Sequence, residues 1–276
     1  MIGVELRKQL PRARTWVALL VMAVVPVIMT IGFAVGGPPH DHDNGLFALS
    51  TRSGLNMPVS ALTLMQNFLL VIVVALFAGE TVSGEASWGT LRYLLIRPVT
   101  RTRLLASKLA IVALLVVLAT LLIPIFGLAA GLPAFGWHDV AVVNPQSQVT
   151  DGIPTFGLLD PASALWRLLA ATGYVAWTMA STVAFAFLLS ALIDSPFGAV
   201  FGGLAFAIVS QILDNIPSFG NVRYGLPTHY WHAWTQLFAP TVHVGDMVTG
   251  TLTQLPYVAV FLALAFAAFR RKDILT

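Results

Sequence analysis

The chain has 276 residues, no cysteine, 57% hydrophobic and 10% charged residues, and a mean hydropathy of +0.83. Soluble domains carry about 45–50% apolar and about 25% charged residues. The composition therefore excludes a disordered chain, a disulfide scaffold and a water-soluble enzyme. The missing cysteine also excludes thiolate-held zinc and iron–sulfur clusters. A polytopic membrane protein remains.

Residues 1–14 are basic, with Arg7, Lys8, Arg12 and Arg14. The apolar stretch that follows, 15–36, exceeds the roughly 7–15 residues of a signal-peptide core, so an uncleaved first span is expected. Five further stretches approach the ~20 apolar residues that a spanning helix needs: 60–79, 104–131, 165–192, 197–219 and 251–269. Pro26 and Pro124 fall inside spans one and three, where kinks are expected. In this six-span scheme, 12 of the 15 basic residues lie on one side, and Arg52, Arg167 and Arg223 on the other. The positive-inside rule then puts both ends in the cytoplasm. The net charge of +3 is a topology signal that needs no nucleic acid to explain it.

The apolar cores are expected to be free of charge, with Glu80 at the inner end of span two, Asp194 in the turn between spans four and five, and Asp214 near the outer interface. Ion-coupled carriers rely on titratable or broken-helix sites, so their absence argues against that class. The neutral polar residues inside the spans are Gln66, Asn67, Thr172, Thr178, Ser181, Thr182, Ser210 and Gln211. They suit interhelical hydrogen bonding. Gln66, Asn67, Thr178, Ser181 and Ser210 are also candidates for lining a substrate path.

The long inner segment 79–108 reads GETVSGEASWGTLRYLLIRPVTRTRLLASK. Acidic residues favour a helix start, and Trp88, Leu91, Leu94 and Leu95 recur at helical spacing. A helix beginning near 83–85 and ending at Arg97-Pro98 is expected. It suits either the membrane interface or a docking site for a soluble partner. All six histidines fall outside: His40, His42, His138, His229, His232 and His243. The run His40-Asp41-His42-Asp43 has the chemistry of a metal site, but alternation in a Gly/Pro-rich loop fixes no geometry. Aromatic neighbours make His229 and His232 look like parts of an interfacial anchor.

The inner segment resembles that of ABC-2-type transporter permeases. The matching positions are Gly79-Glu80, Gly84-Glu85, Gly89-Thr90-Leu91, Leu94-Leu95, Arg97-Pro98-Val99, Arg101 and Lys108, and the stretch 226–238 is similar to the external re-entrant element of many bacterial members. The resemblance implies an all-α integral membrane protein over 1–276: six spans, an N-terminal elbow helix, a cytoplasmic coupling helix and that re-entrant element. It implies an exporter subunit in the bacterial cell membrane, without catalytic, cofactor or metal residues. The permease would pair with itself or a relative. Two copies of a cytoplasmic ATPase holding ATP and magnesium would drive it, contacting Glu80, Glu85, Trp88, Leu91 and Arg97. No G-x-x-x-x-G-K-[ST] phosphate loop occurs here. The rival readings are a membrane-embedded enzyme or assembly factor using the outer His/Asp loops, and an ion-coupled transporter.

Overall fold

Apolar runs in a membrane must satisfy their own backbone polar groups, and helices do so within one segment. A computed structural model of the chain describes residues 2–9, 11–37, 50–87, 100–143, 156–239, 242 and 244–271. Among the described residues, six helical units are long and apolar enough to cross a membrane, so the chain is a multi-pass, helical membrane protein. A short helix α1 (Ile2–Gln9) precedes span one, α2 (Ala13–Gly36). Span two is α3 (Asn56–Asn67) with α4 (Leu69–Ser87), and span three is α5 (Arg101–Phe135). Span four is α6 (Pro161–Thr178) with α7 (Ala180–Leu192). Span five is α8 (Pro196–Asp214) and span six α9 (Gly245–Arg271). Two 3-10 stretches, Pro217–Gly225 and Ala233–Phe238, lie between spans five and six.

Several expected boundaries move, for identifiable reasons. Span two bends at Phe68 (φ −135, ψ −58) and then runs to Ser87, past the expected end at 79. Gly79 and Gly84 do not stop it. A Cβ on Gly79 would lie 2.8 Å from the Val200 backbone nitrogen of α8, so the glycine permits contact between spans two and five that outweighs its ~1 kcal/mol propensity cost. The expected helix start at 83–85 therefore falls in the last turn of α4, and the remainder of the expected inner helix lies outside the described residues. Span five ends at Asp214 rather than 219, because Pro217 disfavours helical backbone at Ile216 (φ −93, ψ 108). Span six begins earlier, at Gly245, with Asp246 in its first turn, where the helix dipole favours a carboxylate. The connection between spans three and four contains a short antiparallel ribbon, Val140–Val143 with Phe156–Leu159, in which Val140 faces Leu159. It is a small addition to the all-helical plan.

Spans two and four form the centre, with 72% and 67% of their apolar windows buried, against 28%, 22% and 17% for spans one, five and six. The last three carry exposed apolar rows such as Trp16, Leu20 and Ile28, Phe197, Phe201 and Val209, and Leu252, Val260 and Leu264. Only acyl chains or another apolar surface can cover them favourably. Small residues seat span three against the α3 half of span two. A Cβ on Gly127 would meet Pro58 Cα at 2.9 Å, and one on Gly131 the Gly54 carbonyl at 2.6 Å, the close approach that small-xxx-small spacing permits. At one end of the bundle, Arg14 at the start of span one pairs with Glu80 of span two. At that end too, an Arg101 guanidinium donates to the Arg270 carbonyl at the close of span six.

Candidate functional site

The end of the bundle from which the connection between spans two and three departs is built on residues 79–87 of α4. Lys108, about two turns into α5, reaches across to α4. Its Nζ lies 2.8 Å from Glu85 Oε2 and donates to the Thr81 carbonyl at 3.1 Å. Both charged side chains are buried, 0% and 2% exposed. From span four, Ser190 Oγ accepts the Val82 and Ser83 backbone N–H groups at 3.0 Å each. From span one, Arg14 pairs with Glu80 at 2.5 Å. Arg14 and Glu80 line a small cleft with Gln9, Arg12, Thr15, Leu76, Phe77, Thr81 and Leu115. Four other spans thus grip one stretch of span two: Arg14, Lys108 and Ser190 grip it by polar contacts, and Val200 by backbone approach.

The opposite end is organised around the segment before span six. Gln66, fully buried beside the Phe68 bend, donates to the Trp231 carbonyl at 2.9 Å and accepts from Trp234 Nε1 at 2.8 Å. Tyr174 donates to the Tyr230 carbonyl at 2.8 Å, and Gln254 to the Pro227 carbonyl at 2.6 Å. Asp214, closing span five, lies 2.5 Å from His229 Nδ1 and 3.7 Å from Arg223 Nε. The segment therefore folds back between spans two, four, five and six, as expected of a re-entrant element. A polar strip also lies at its surface. Asn67 Oδ1 is 2.8 Å from His232 Nε2, and Gln211 donates to the Asn67 carbonyl at 3.2 Å. Close packing pushes the His232 pKa below the ordinary 6.5, although the residue keeps surface exposure.

The structure separates the expected path residues. Gln66, Thr178, Ser181 and Ser210 are buried within the subunit, and Ser210 is engaged with Thr228 at 2.8 Å. Ser181 and Thr182 hydroxyls are buried without hydrogen-bond partners. Thr172 donates to the Leu168 carbonyl in its own helix. Asn67 is the exposed one of the five candidates, and Gln211 beside it is half-buried. Of the expected partner-contacting residues, Glu80 is one-fifth exposed and Glu85 is sealed by Lys108. Trp88, Leu91 and Arg97 lie outside the described residues, as do His40–Asp43 and His243. Glu80, Glu85 and Lys108 sit near the ends of spanning helices. Glu85 joins span two because α4 runs past 79, and Lys108 falls within the expected stretch 104–131. Among the described residues no group of three or more His, Asp or Glu comes together to hold a metal.

The chain is similar to the uncharacterized protein YhcI of Bacillus subtilis (strain 168), 28% identical over 222 residues, which cover 75% of this chain and 66% of that protein. The match spans just under two thirds of the relative's length. A family model described as a protein of unknown function matches residues 19–275, nearly the whole six-span unit, so the chain belongs to the DUF2705 family.

Proposed function

We propose that the chain is the membrane subunit of an ATP-driven exporter of the ABC-2 permease type, working in the bacterial cell membrane with both chain ends in the cytoplasm. One observation carries this reading. Residues 79–87, from which the inner loop departs, are bound to spans one, three, four and five by Glu80–Arg14, Glu85–Lys108, Ser190 and the Gly79–Val200 approach. A push on the loop is delivered to the whole bundle at once. That is what a transporter needs when the driving force comes from a separate protein. Resemblance of the inner segment to the ABC-2 permeases supplies the kind of protein: a cytoplasmic ATPase, two copies per assembly, holding ATP and magnesium. Trp88 and Leu91 are the apolar anchors proposed to enter it, since buried aromatic residues dominate many such contacts. A second permease, identical or related, completes the assembly. The Asn67–His232–Gln211 strip is the surface proposed to face the translocated molecule, because polar groups at the surface of a membrane bundle are costly unless they meet water, a ligand or another polar face.

The test is to search the neighbouring reading frames for a Walker-motif ATPase, express it with the chain and purify both in detergent. A stoichiometric complex is expected, with hydrolysis that needs the membrane chain and falls when Trp88 and Leu91 are both replaced by Ala. A membrane chain that purifies alone, with the ATPase unaffected by it, would overturn the reading.

A further inference from the structure

The Glu85–Lys108 pair occupies a particular place in the chain: its two residues are the stems of the inner loop. Glu85 lies in the last turn of α4 before the loop, and Lys108 follows the loop, near the start of α5. A buried ion pair is a poor source of stability, because desolvating two charges costs about as much as their attraction returns, and apolar replacements of similar size are often as stable. What the pair supplies is position, through an ion contact and the hydrogen bond that Lys108 makes beside it. Lys108 Nζ holds the Glu85 carboxylate at 2.8 Å and the Thr81 carbonyl one turn earlier at 3.1 Å. Two bonds to consecutive turns of one helix fix both its rotation and its height against α5. Ser190 Oγ, on the Val82 and Ser83 N–H groups, locks the same turns from span four. Leucine or methionine in these positions would fill the space but leave α4 held against α5 by packing alone.

We propose that Lys108 and Glu85 are positioning residues, a clamp across the stems of the inner loop that sets the rotation and height at which the loop leaves the membrane. The clamp orients the loop without touching any partner of the loop. Its consequence for ATPase coupling rests on the permease reading above; the clamp itself does not.

The cysteine-free sequence allows a direct test. Ser87, exposed at the end of α4, is changed to Cys, and its rate of reaction with a maleimide is measured in the full detergent-solubilised chain. Single variants leave a buried charge uncompensated and risk misfolding, so the decisive variants are the double replacement Glu85→Met with Lys108→Met and the swap Glu85→Lys with Lys108→Glu. Size-exclusion profile and helix content are checked in parallel, and both are expected to match the parent. The apolar double should raise the Ser87→Cys rate about tenfold, the shift in an opening equilibrium that ~1.4 kcal/mol corresponds to. The swap should fall between it and the parent. An apolar double reacting at the parent rate would overturn the clamp. So would a swap as reactive as the apolar double, which assigns the effect to packing. In the ATPase complex, the apolar double should hydrolyse ATP with reduced dependence on the membrane chain. If the Ser87→Cys rate rises while that dependence is unchanged, the clamp stands and its role in coupling is overturned; if no ATPase complex forms at all, the clamp stands on the Ser87→Cys rate and the permease reading fails.

Discussion

Replacing Gln66 by Leu tests how the segment before span six is held. Gln66 is fully buried, and its amide is shared between two parts of that segment: Nε2 donates to the Trp231 carbonyl at 2.9 Å, and Oε1 accepts from Trp234 Nε1 at 2.8 Å. The Thr178 hydroxyl, at 3.5 Å, is at the limit of bonding and is left out. Leu preserves volume and removes both bonds, leaving a buried carbonyl and a buried indole N–H. An orphaned buried group costs ~1–3 kcal/mol in a water-soluble protein. Interhelical hydrogen bonds within membranes average only ~0.6 kcal/mol and reach ~1.7, because the unfolded chain also finds partners there. Two bonds between the average and the upper membrane value give a loss of about 1–3 kcal/mol for Gln66→Leu. Trp234→Phe removes the indole donor and keeps an aromatic ring, at about 1–2 kcal/mol for the lost bond and the smaller ring together. Each variant deletes the bond between the two residues, so the double variant should fall short of additivity by about 1 kcal/mol. Equilibrium unfolding by SDS titration in mixed micelles reads all three. Additivity within ~0.5 kcal/mol, or a Gln66→Leu protein as stable as the parent, would show that the amide does not bridge these two tryptophans.

Three further outcomes are expected. Single cysteines at Ser218 and Asn221, exposed between spans five and six, should react with an impermeant reagent on whole cells, and one at Thr102 should not; the reverse pattern would reverse the orientation. Ser53 is unsuitable as an outer reporter, although a sequence-based topology makes it attractive, because it is buried and donates to the His138 carbonyl at 2.7 Å. Gly79→Ala places a Cβ 2.8 Å from the Val200 backbone nitrogen, so spans two and five must separate. A loss of about 1–3 kcal/mol is expected, and an unchanged unfolding midpoint would refute that contact. His232 has a pKa below its ordinary 6.5 in the folded chain, so between these two values the unfolded state binds more protons. Its contribution to stability is complete above 6.5 and is lost as the pH falls toward the folded value. The thermal midpoint in detergent should drop between about pH 7 and pH 5, and His232→Gln should reduce that drop; an equal drop in both proteins would clear His232 of the effect.

Much of this protein is written locally. Transfer of about 20 apolar residues into hydrocarbon is nearly a sum over neighbours in sequence, so six spans, their order and the basic side of the bundle are legible without a fold. The segment 226–238 is also legible, since aromatic and histidine residues crowd a stretch that hydropathy leaves outside the spans. Contacts between distant residues are different. That α4 continues through Gly79 and Gly84 depends on Val200 arriving against it, some 120 residues later in sequence. A hydropathy profile registers Glu80 and Glu85 only as the end of an apolar run. Burial of Glu85 requires Lys108 to reach back across the inner loop and complete its bonding on the Thr81 carbonyl, with Ser190 closing the third side. The same reasoning divides the polar residues of the spans. Gln66 and Asn67 are adjacent in sequence, but rotation by one helical residue buries the first against Trp231 and Trp234 and leaves the second at the surface beside His232. Composition determined that these residues lie in a membrane. Only the packing of spans two, four and five around the folded-back segment decided which of them can meet anything else.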